Sequence, residues 1–332
     1  MSTIVKGQHF VPKKAHLNKF CDDDGYLYVY DKDKLNSFRT TPHNVAKKHR
    51  FYDFPEAEDR QKQKIERFFS KIEPIQDSLI EDFLEKVYFH QASDLLFTDV
   101  LTTDLKIKLA SVISLQFLRT NEHRKFISNV FQSTKHNLKQ EADQIHKQGM
   151  RAILERIPEE YKSLVASFLI ETKQISINNS LKYINWLYSD EGLSIVQGEE
   201  IFRRFKNVAD ILVNHIWLIG FNSFGKNQAF YTSDHPVAKL PHLSGIASKG
   251  VQINFPLNSN VIIILLEREY FNKYEAFDNK IVQLTTYQIN HFNSMQVFSS
   301  DRQIYCRNKD FDLAEQIIKN SFYDLSSAKQ RY

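Results

Sequence analysis

Three polar side chains, far apart in sequence, stand in contexts suited to chemistry. His9 lies in the short segment Gln8-His9-Phe10-Val11-Pro12; an imidazole exchanges protons near neutral pH and serves as general acid or base. Its structural alternative is a hydrogen bond to a backbone carbonyl while Val11 and Pro12 pin the chain end. Arg119 closes the apolar stretch Leu115-Gln116-Phe117-Leu118, so its planar fork would emerge beside Gln116, where it suits a phosphate or carboxylate. The competing role is an ion pair with Glu66 or Glu73. Asp234, in Ser233-Asp234-His235-Pro236, follows an expected strand and would orient His9 or Arg119, or activate water. Ordinary turn chemistry explains the same tetrapeptide. Read together, these residues give a hydrolase or nuclease acting on RNA or a nucleotide. His9 would be the acid/base, Arg119 the phosphate ligand and Asp234 the orienting carboxylate, with Gln8, Gln116 and Ser233 as substrate-binding neighbours. The rival reading is a non-catalytic sensor or protein-interaction scaffold, in which the same groups tie the terminus to the helices.

A second feature favours an anionic partner. Between Lys34 and Tyr52 the chain carries Lys34, Arg39, Lys47, Lys48, Arg50, His43 and His49, no acidic residue, and the interleaved aromatics Phe38, Phe51 and Tyr52. Cations beside stacking platforms are what an RNA contact requires, so Lys47, Lys48 and Arg50 join the candidate binding residues; a solvated loop would carry the same composition. Glu66, Glu73 and Glu81 fall along one helical stripe, yet no acidic strand carries the Glu-x-Lys of nucleases, and no metal is expected. No cofactor is indicated. With 9 glycines in 332 residues, there is no Gly-rich dinucleotide or Walker loop, and neither a G-x-S-x-G elbow nor an H-E-x-x-H pair occurs.

The elements that must position these groups follow from hydropathy. The chain has 44 basic and 40 acidic residues, a net charge of +4, too balanced for nucleic-acid binding by bulk charge. Cys21 and Cys306 are distant and fit a reducing compartment. No apolar run spans a bilayer, Val261 to Leu266 being the purest, so a cytoplasmic protein without membrane contact is expected. Residues 1–56 read as irregular chain around the strand Tyr26 to Tyr30, with Leu27 and Val29 facing one way and three tyrosines the other. Helical periodicity runs over 57–225, starting with Ile65, Phe68, Phe69, Ile72, Ile75, Leu79, Ile80, Phe83, Leu84 and Val87. Further helices are expected near 104–118, 122–148, 159–172, 178–189 and 199–220. From 226 to 332 the period shortens: Phe230 to Thr232, Ile253 to Leu257, Val261 to Glu267, Ile281 to Thr285 and Met295 to Ser299 read as strands, before a closing helix near Phe311 to Phe322. The expectation is one α+β domain, a central helical layer on a mostly antiparallel C-terminal sheet, with the hairpin-like N-terminal segment docked against it.

The order of motifs resembles the bacterial family catalogued as domain of unknown function 4238. Gln8-His9-Phe10-Val11-Pro12 with Leu17 and Phe20 resembles its H-x-V-P-x-x-x-L-x-x-F opening, followed by Leu27-Tyr28-Val29-Tyr30-Asp31-Lys32 and the pair Phe51-Tyr52. Ile65-Glu66, Ile72-Glu73, Gln116-x-x-Arg119-Thr120, Phe255-Pro256-Leu257 and Asn290 are similar to later elements. Thr232-Ser233-Asp234-His235-Pro236-Val237 resembles its T-S-D-x-P-V element, with His235 where Asn is common, and Asn258-Ser259 replaces the usual Ser-Pro. The resemblance implies a bacterial accessory protein, with a defence or toxin-type effector as the expected setting; it implies no particular reaction.

Overall fold

The strand Leu27–Asp31 (β2) pairs antiparallel with Asn36–Thr40 (β3) on one side and with the near-terminal strand Gln303–Cys306 (β11) on the other. The two ends of the chain therefore meet in one sheet. This computed structural model describes residues 4–53, 63–93, 98–129, 155, 190–225, 228–242 and 245–329. The helices expected near 159–172 and 178–189, and most of 122–148, lie outside these residues, although 121–129 is helical.

Before β2 comes Gly7–His9 (β1), which pairs antiparallel with Lys47–His49 (β4). Three long helices follow: Lys64–Ala92 (α1), Thr103–Leu118 (α2) and Asp190–Val213 (α3). α1 buries Ile65, Phe69, Ile80, Phe83, Leu84 and Val87 as the periodicity predicts, but Ile75 is 68% exposed. α2 begins at a Thr102 cap, whose side chain accepts from Leu105 N, and meets α3 where Ser114 Oγ donates to Phe205 O.

The C-terminal third builds two sheets. One has five strands in the order β10-β5-β9-β8-β7: Lys280–Gln283, Ile216–Phe221, Val261–Leu266, Gln252–Pro256 and Ala238–Leu240, antiparallel except for the parallel β10–β5 pair. The other joins β3, β2 and β11 to Thr232–Ser233 (β6). In β5 and β9 every residue is buried. Trp217, Ile219, Val261, Ile263 and Leu265 enter the core shared with α1, α2 and α3, while Ile216, Leu218, Ile262, Ile264 and Leu266 pack on Thr286–Ser299 (α4). A strand covered on both faces is apolar throughout for this reason. Gly220 in β5 admits no larger residue easily, since a Cβ there would lie 2.6 Å from Ile262 Cγ2.

Two expectations are corrected. The apolar run Ile216 to Ile219, read as the end of a helix, is strand β5; the helix stops at Val213 and the chain turns at Asn214 and His215. Met295 to Ser299, read as a strand, is the last turn of α4, which starts at a capping box formed by Thr285 and Gln288. The expected alternation in β2 holds: Leu27 and Val29 enter the core shared with the helices, while Tyr28 and Tyr30 face the other way, where Tyr30 is 3% exposed against Phe311 because the closing helix Asp312–Lys329 (α5) covers that side of the sheet.

Candidate functional site

Strand alternation in β1 turns Gln8 into the protein and leaves His9 half-buried. Gln8 is fully spent: its Nε2 donates to Asp53 Oδ1 and Val5 O, and its Oε1 accepts from Tyr52 N. Gln63 Nε2 donates to the same Asp53 oxygen at 3.0 Å. This cluster ties Asp53, after β4, to Gln63, at the start of α1, and Gln8, Asp53 and Gln63 are all buried.

His9 lies beside a set of basic side chains. His43 lies 6.1 Å away between ring centroids, Lys47 is its cross-strand partner, and Lys13 and Arg119 are close enough to act on its charge. Burial first, then Lys47, Arg119, His43 and Lys13, bring its pKa down to about 4. Its Nδ1 is buried without a hydrogen-bond partner. Among the described residues Lys13, His43 and Lys47 make no ion pair, and Lys13 and His43 are exposed. Lys13 and Lys47 thus form a basic shelf without a carboxylate partner among the described residues, and such a shelf attracts an anion.

Arg119 sits at the C-cap of α2, 2% exposed. Its Nη2 donates to the backbone carbonyl of His9 at 2.7 Å and to Glu73 Oε1 at 2.8 Å, its guanidinium stacks 3.8 Å from the Phe69 ring centre, and its own carbonyl accepts from Tyr52 Oη at 2.6 Å. The ion-pair alternative is thus realised with Glu73. Arg119 does bring His9 beside α2, but through the main chain. The cavity it lines with His16, Gln116 and Phe255 has about 10 Å³, the size of one water rather than of a substrate. Gln116 faces inward there and donates to Phe10 O at 3.2 Å.

Asp234 follows β6 and is buried. Its carboxylate accepts three backbone N–H groups, from Asp301 and Arg302 at 2.8 Å and Gln303 at 2.9 Å, so it caps the turn that launches β11. Burial pushes its pKa up to about 7 against the pull of those donors. Ser233 Oγ donates to Gln296 Oε1 on α4 and accepts from His235 N. His235 meets Thr120 through Nδ1 at 2.7 Å, which is the link between the Asp234 element and the residue after Arg119. No hydrogen bond or ion pair joins Asp234 to His9 or Arg119 among the described residues.

The basic stretch divides. Arg39 pairs with Asp22 and Asp24, Lys48 donates to Asn121 Oδ1 at 2.7 Å and lies over Phe51, and Arg50, at φ 48°, approaches Asp53 Oδ2 at 3.8 Å. Lys47 alone of the three predicted binding cations stays beside His9. Of the acidic stripe, Glu81 pairs with Lys19 and Glu73 with Arg119; burial, with Glu73 and Asp53 nearby and Arg119 opposing, raises Glu66 to about 7. Among the described residues no three acidic, histidine or cysteine side chains gather as a metal site. Sequence reasoning missed Lys13, Asp53 and Gln63. Lys13 follows Pro12 directly, and its signal was proximity to His9; Gln63 has none, since only the fold brings it to Val5.

The order of motifs along the chain now has a match: residues 7–310 fit the protein family of unknown function DUF4238. The chain belongs to that family. Neither a curated protein nor a solved structure matches it. The DUF4238 match covers the sequence-predicted site residues, from Gln8 to Asp234, and it ends at Asp310, just before α5. No described helix is long and apolar enough to cross a membrane.

Proposed function

We propose that this DUF4238 chain is a hydrolase of the nuclease kind acting on RNA or a nucleotide in the bacterial cytoplasm, with a phosphate group held on the shelf of Lys13, His43 and Lys47 and with His9 as the acid/base. The observation that carries this reading is the buried, unpartnered Nδ1 of His9 beside Lys13 and Lys47, which pair with no carboxylate among the described residues. At pH 7 the imidazole is neutral and accepts a proton; a bound phosphate would offset the nearby charges of Lys13, Lys47 and Arg119 and lift its pKa toward the range where a histidine both takes and gives one. Arg119 enters as a positioning residue, because it fixes the main chain of His9, whereas Asp234 fixes the turn into β11 and serves the fold.

The test combines binding and turnover. The histidine resonances would be titrated with pH in the presence and absence of AMP, and total RNA would be incubated with wild type, His9→Ala and Lys13→Ala/Lys47→Ala. We expect the His9 pKa to rise by about one unit with AMP, and RNA cleavage to fall about 100-fold in His9→Ala. An unmoved pKa together with intact RNA would sink the proposal.

A second reading is supported by a separate observation. Gln8, Gln116, Arg119, Ser233 and Asp234 are all buried and bonded inside the protein, as a non-catalytic sensor or scaffold would have them. Intact RNA and absent AMP binding in folded wild type would favour it.

A further inference from the structure

Away from His9, a cavity of about 280 Å³ opens between the turn after β5, α4 and the loop joining β11 to α5, lined by Phe224, Gln228, Tyr231, Asn290, Asp310 and Leu313 among others. It is smaller than the ~300–1,000 Å³ of drug-sized pockets, so it suits one ring system. Its floor is held rigidly. Asn293 accepts from Tyr231 N at 2.8 Å and donates to Ala229 O, while Tyr231 Oη donates to the carbonyl of Asp310 at 2.8 Å and anchors that loop.

The rim offers unused hydrogen-bonding capacity of both kinds. Gln228 Nε2 donates to Thr286 O and to Asn290 Oδ1, which leaves Gln228 Oε1 as an acceptor and the Asn290 Nδ2 group as a donor without partners among the described residues. The exposed Asp310 carboxylate pairs with no cation there and takes only a 3.4 Å contact from Asp312 N. Among the described residues no lysine or arginine lines the cavity, and Phe224, 43% exposed, provides an apolar ring at its edge. A carboxylate without a cation repels phosphate and accepts paired N–H donors; an amide N–H₂ donates to ring or carbonyl acceptors; an exposed phenyl ring stacks on a flat ligand.

We propose that this cavity binds a nucleobase, and guanine best. Guanine presents N1–H and N2–H donors to Asp310 and its O6 and N7 acceptors to Asn290, with its face toward Phe224. This does not rest on the phosphate shelf at His9, and the ligand is the base itself, free of phosphate.

Calorimetric titration of the full chain with guanosine tests it, with adenosine, cytidine and glucose as comparison ligands and with Asp310→Ala, Asn290→Ala and Phe224→Ala as variants. Thermal melting of each variant controls for folding, and the exposed positions of Asp310 and Asn290 make unchanged melting the expected result. We expect saturable guanosine binding, weakened about tenfold or more in Asp310→Ala and in Asn290→Ala, and retained in Lys13→Ala/Lys47→Ala, which keeps the outcome separate from that of the phosphate shelf. Absence of saturable guanosine binding to the wild type would overturn the proposal. So would binding that both variants leave unchanged, or glucose or adenosine binding as tightly as guanosine.

Discussion

Arg119 shows how one side chain divides its donors. A guanidinium carries five N–H groups in a rigid fork, and in this protein one nitrogen serves both the His9 carbonyl and Glu73 while the plane rests on Phe69. Glu73 retains 25% side-chain exposure, so water partly compensates it when the arginine is lost. Arg119→Met, which keeps the stem packed, should therefore cost about 2–3 kcal/mol, at or below the low end for breaking a buried ion pair. Arg119→Lys should cost nearly as much, because an ammonium cannot span both acceptors while stacked. Urea unfolding measures both. A loss under about 0.5 kcal/mol for Arg119→Met would show that the guanidinium is not committed to the fold and would return it to the role of a phosphate ligand.

At the scale of elements, Asp234 determines whether β11 can sit between β2 and β6. Its three accepted N–H groups belong to consecutive residues, 301 to 303, so the carboxylate organises a turn in the way a helix cap organises a first turn. Asp234→Asn keeps the shape but replaces one acceptor oxygen by a donor facing backbone N–H groups. A destabilisation of about 2–4 kcal/mol is expected, with faster hydrogen exchange at the amides of Arg302 and Gln303; slow exchange equal to wild type would refute the capping role. Much of this element pattern was legible in the chain. The α1 stripe and β9 stand where periodicity puts them, the strand expected over Phe230 to Thr232 is displaced to Thr232–Ser233, and the docking of the N-terminal strand on a C-terminal one was expected as well. The misreadings have physical causes. Ile216 to Ile219 is apolar on every side because β5 is covered on both faces, and period alone does not separate such a strand from a buried helix. The tail of α4 was read as a strand although Thr285 and Gln288, three apart, announce a helix start. Of the site, the proximity of Arg119 to His9 was anticipated; that the contact runs through a carbonyl was not, since main-chain acceptors leave no mark in a sequence.

For the whole molecule, the folded core holds neutral histidines where two distant parts of the chain meet. His16 joins the N-terminal segment to β6 through Thr232 Oγ1 at 2.7 Å and stacks on Phe255; His235 joins β6 to α2 through Thr120. Burial, with Lys19 nearby, lowers His16 to about 3, and burial, with His123, His242 and Lys239, lowers His235 to about 3. A folded pKa below the unfolded 6.5 means that the unfolded chain takes the proton first. Their contribution is thus complete above about pH 6.5 and is lost as pH falls toward 3. Asp234 and Glu66, raised to about 7, act in the opposite sense, contributing fully below about pH 4 and losing that contribution as pH rises to 7. The net curve mixes both signs, so the informative quantity is the difference between wild type and His235→Asn, in which the carboxylate terms cancel. Asn can still bond Thr120 but does not titrate. Between pH 7 and pH 4 the wild type should lose about 3 kcal/mol relative to the variant, the free energy of holding one imidazole neutral through two and a half pKa units. Urea midpoints at pH 7, 5.5 and 4 measure this difference, and a gap that stays constant across the three would mean that His235 accepts its proton without unfolding the β6–α2 joint.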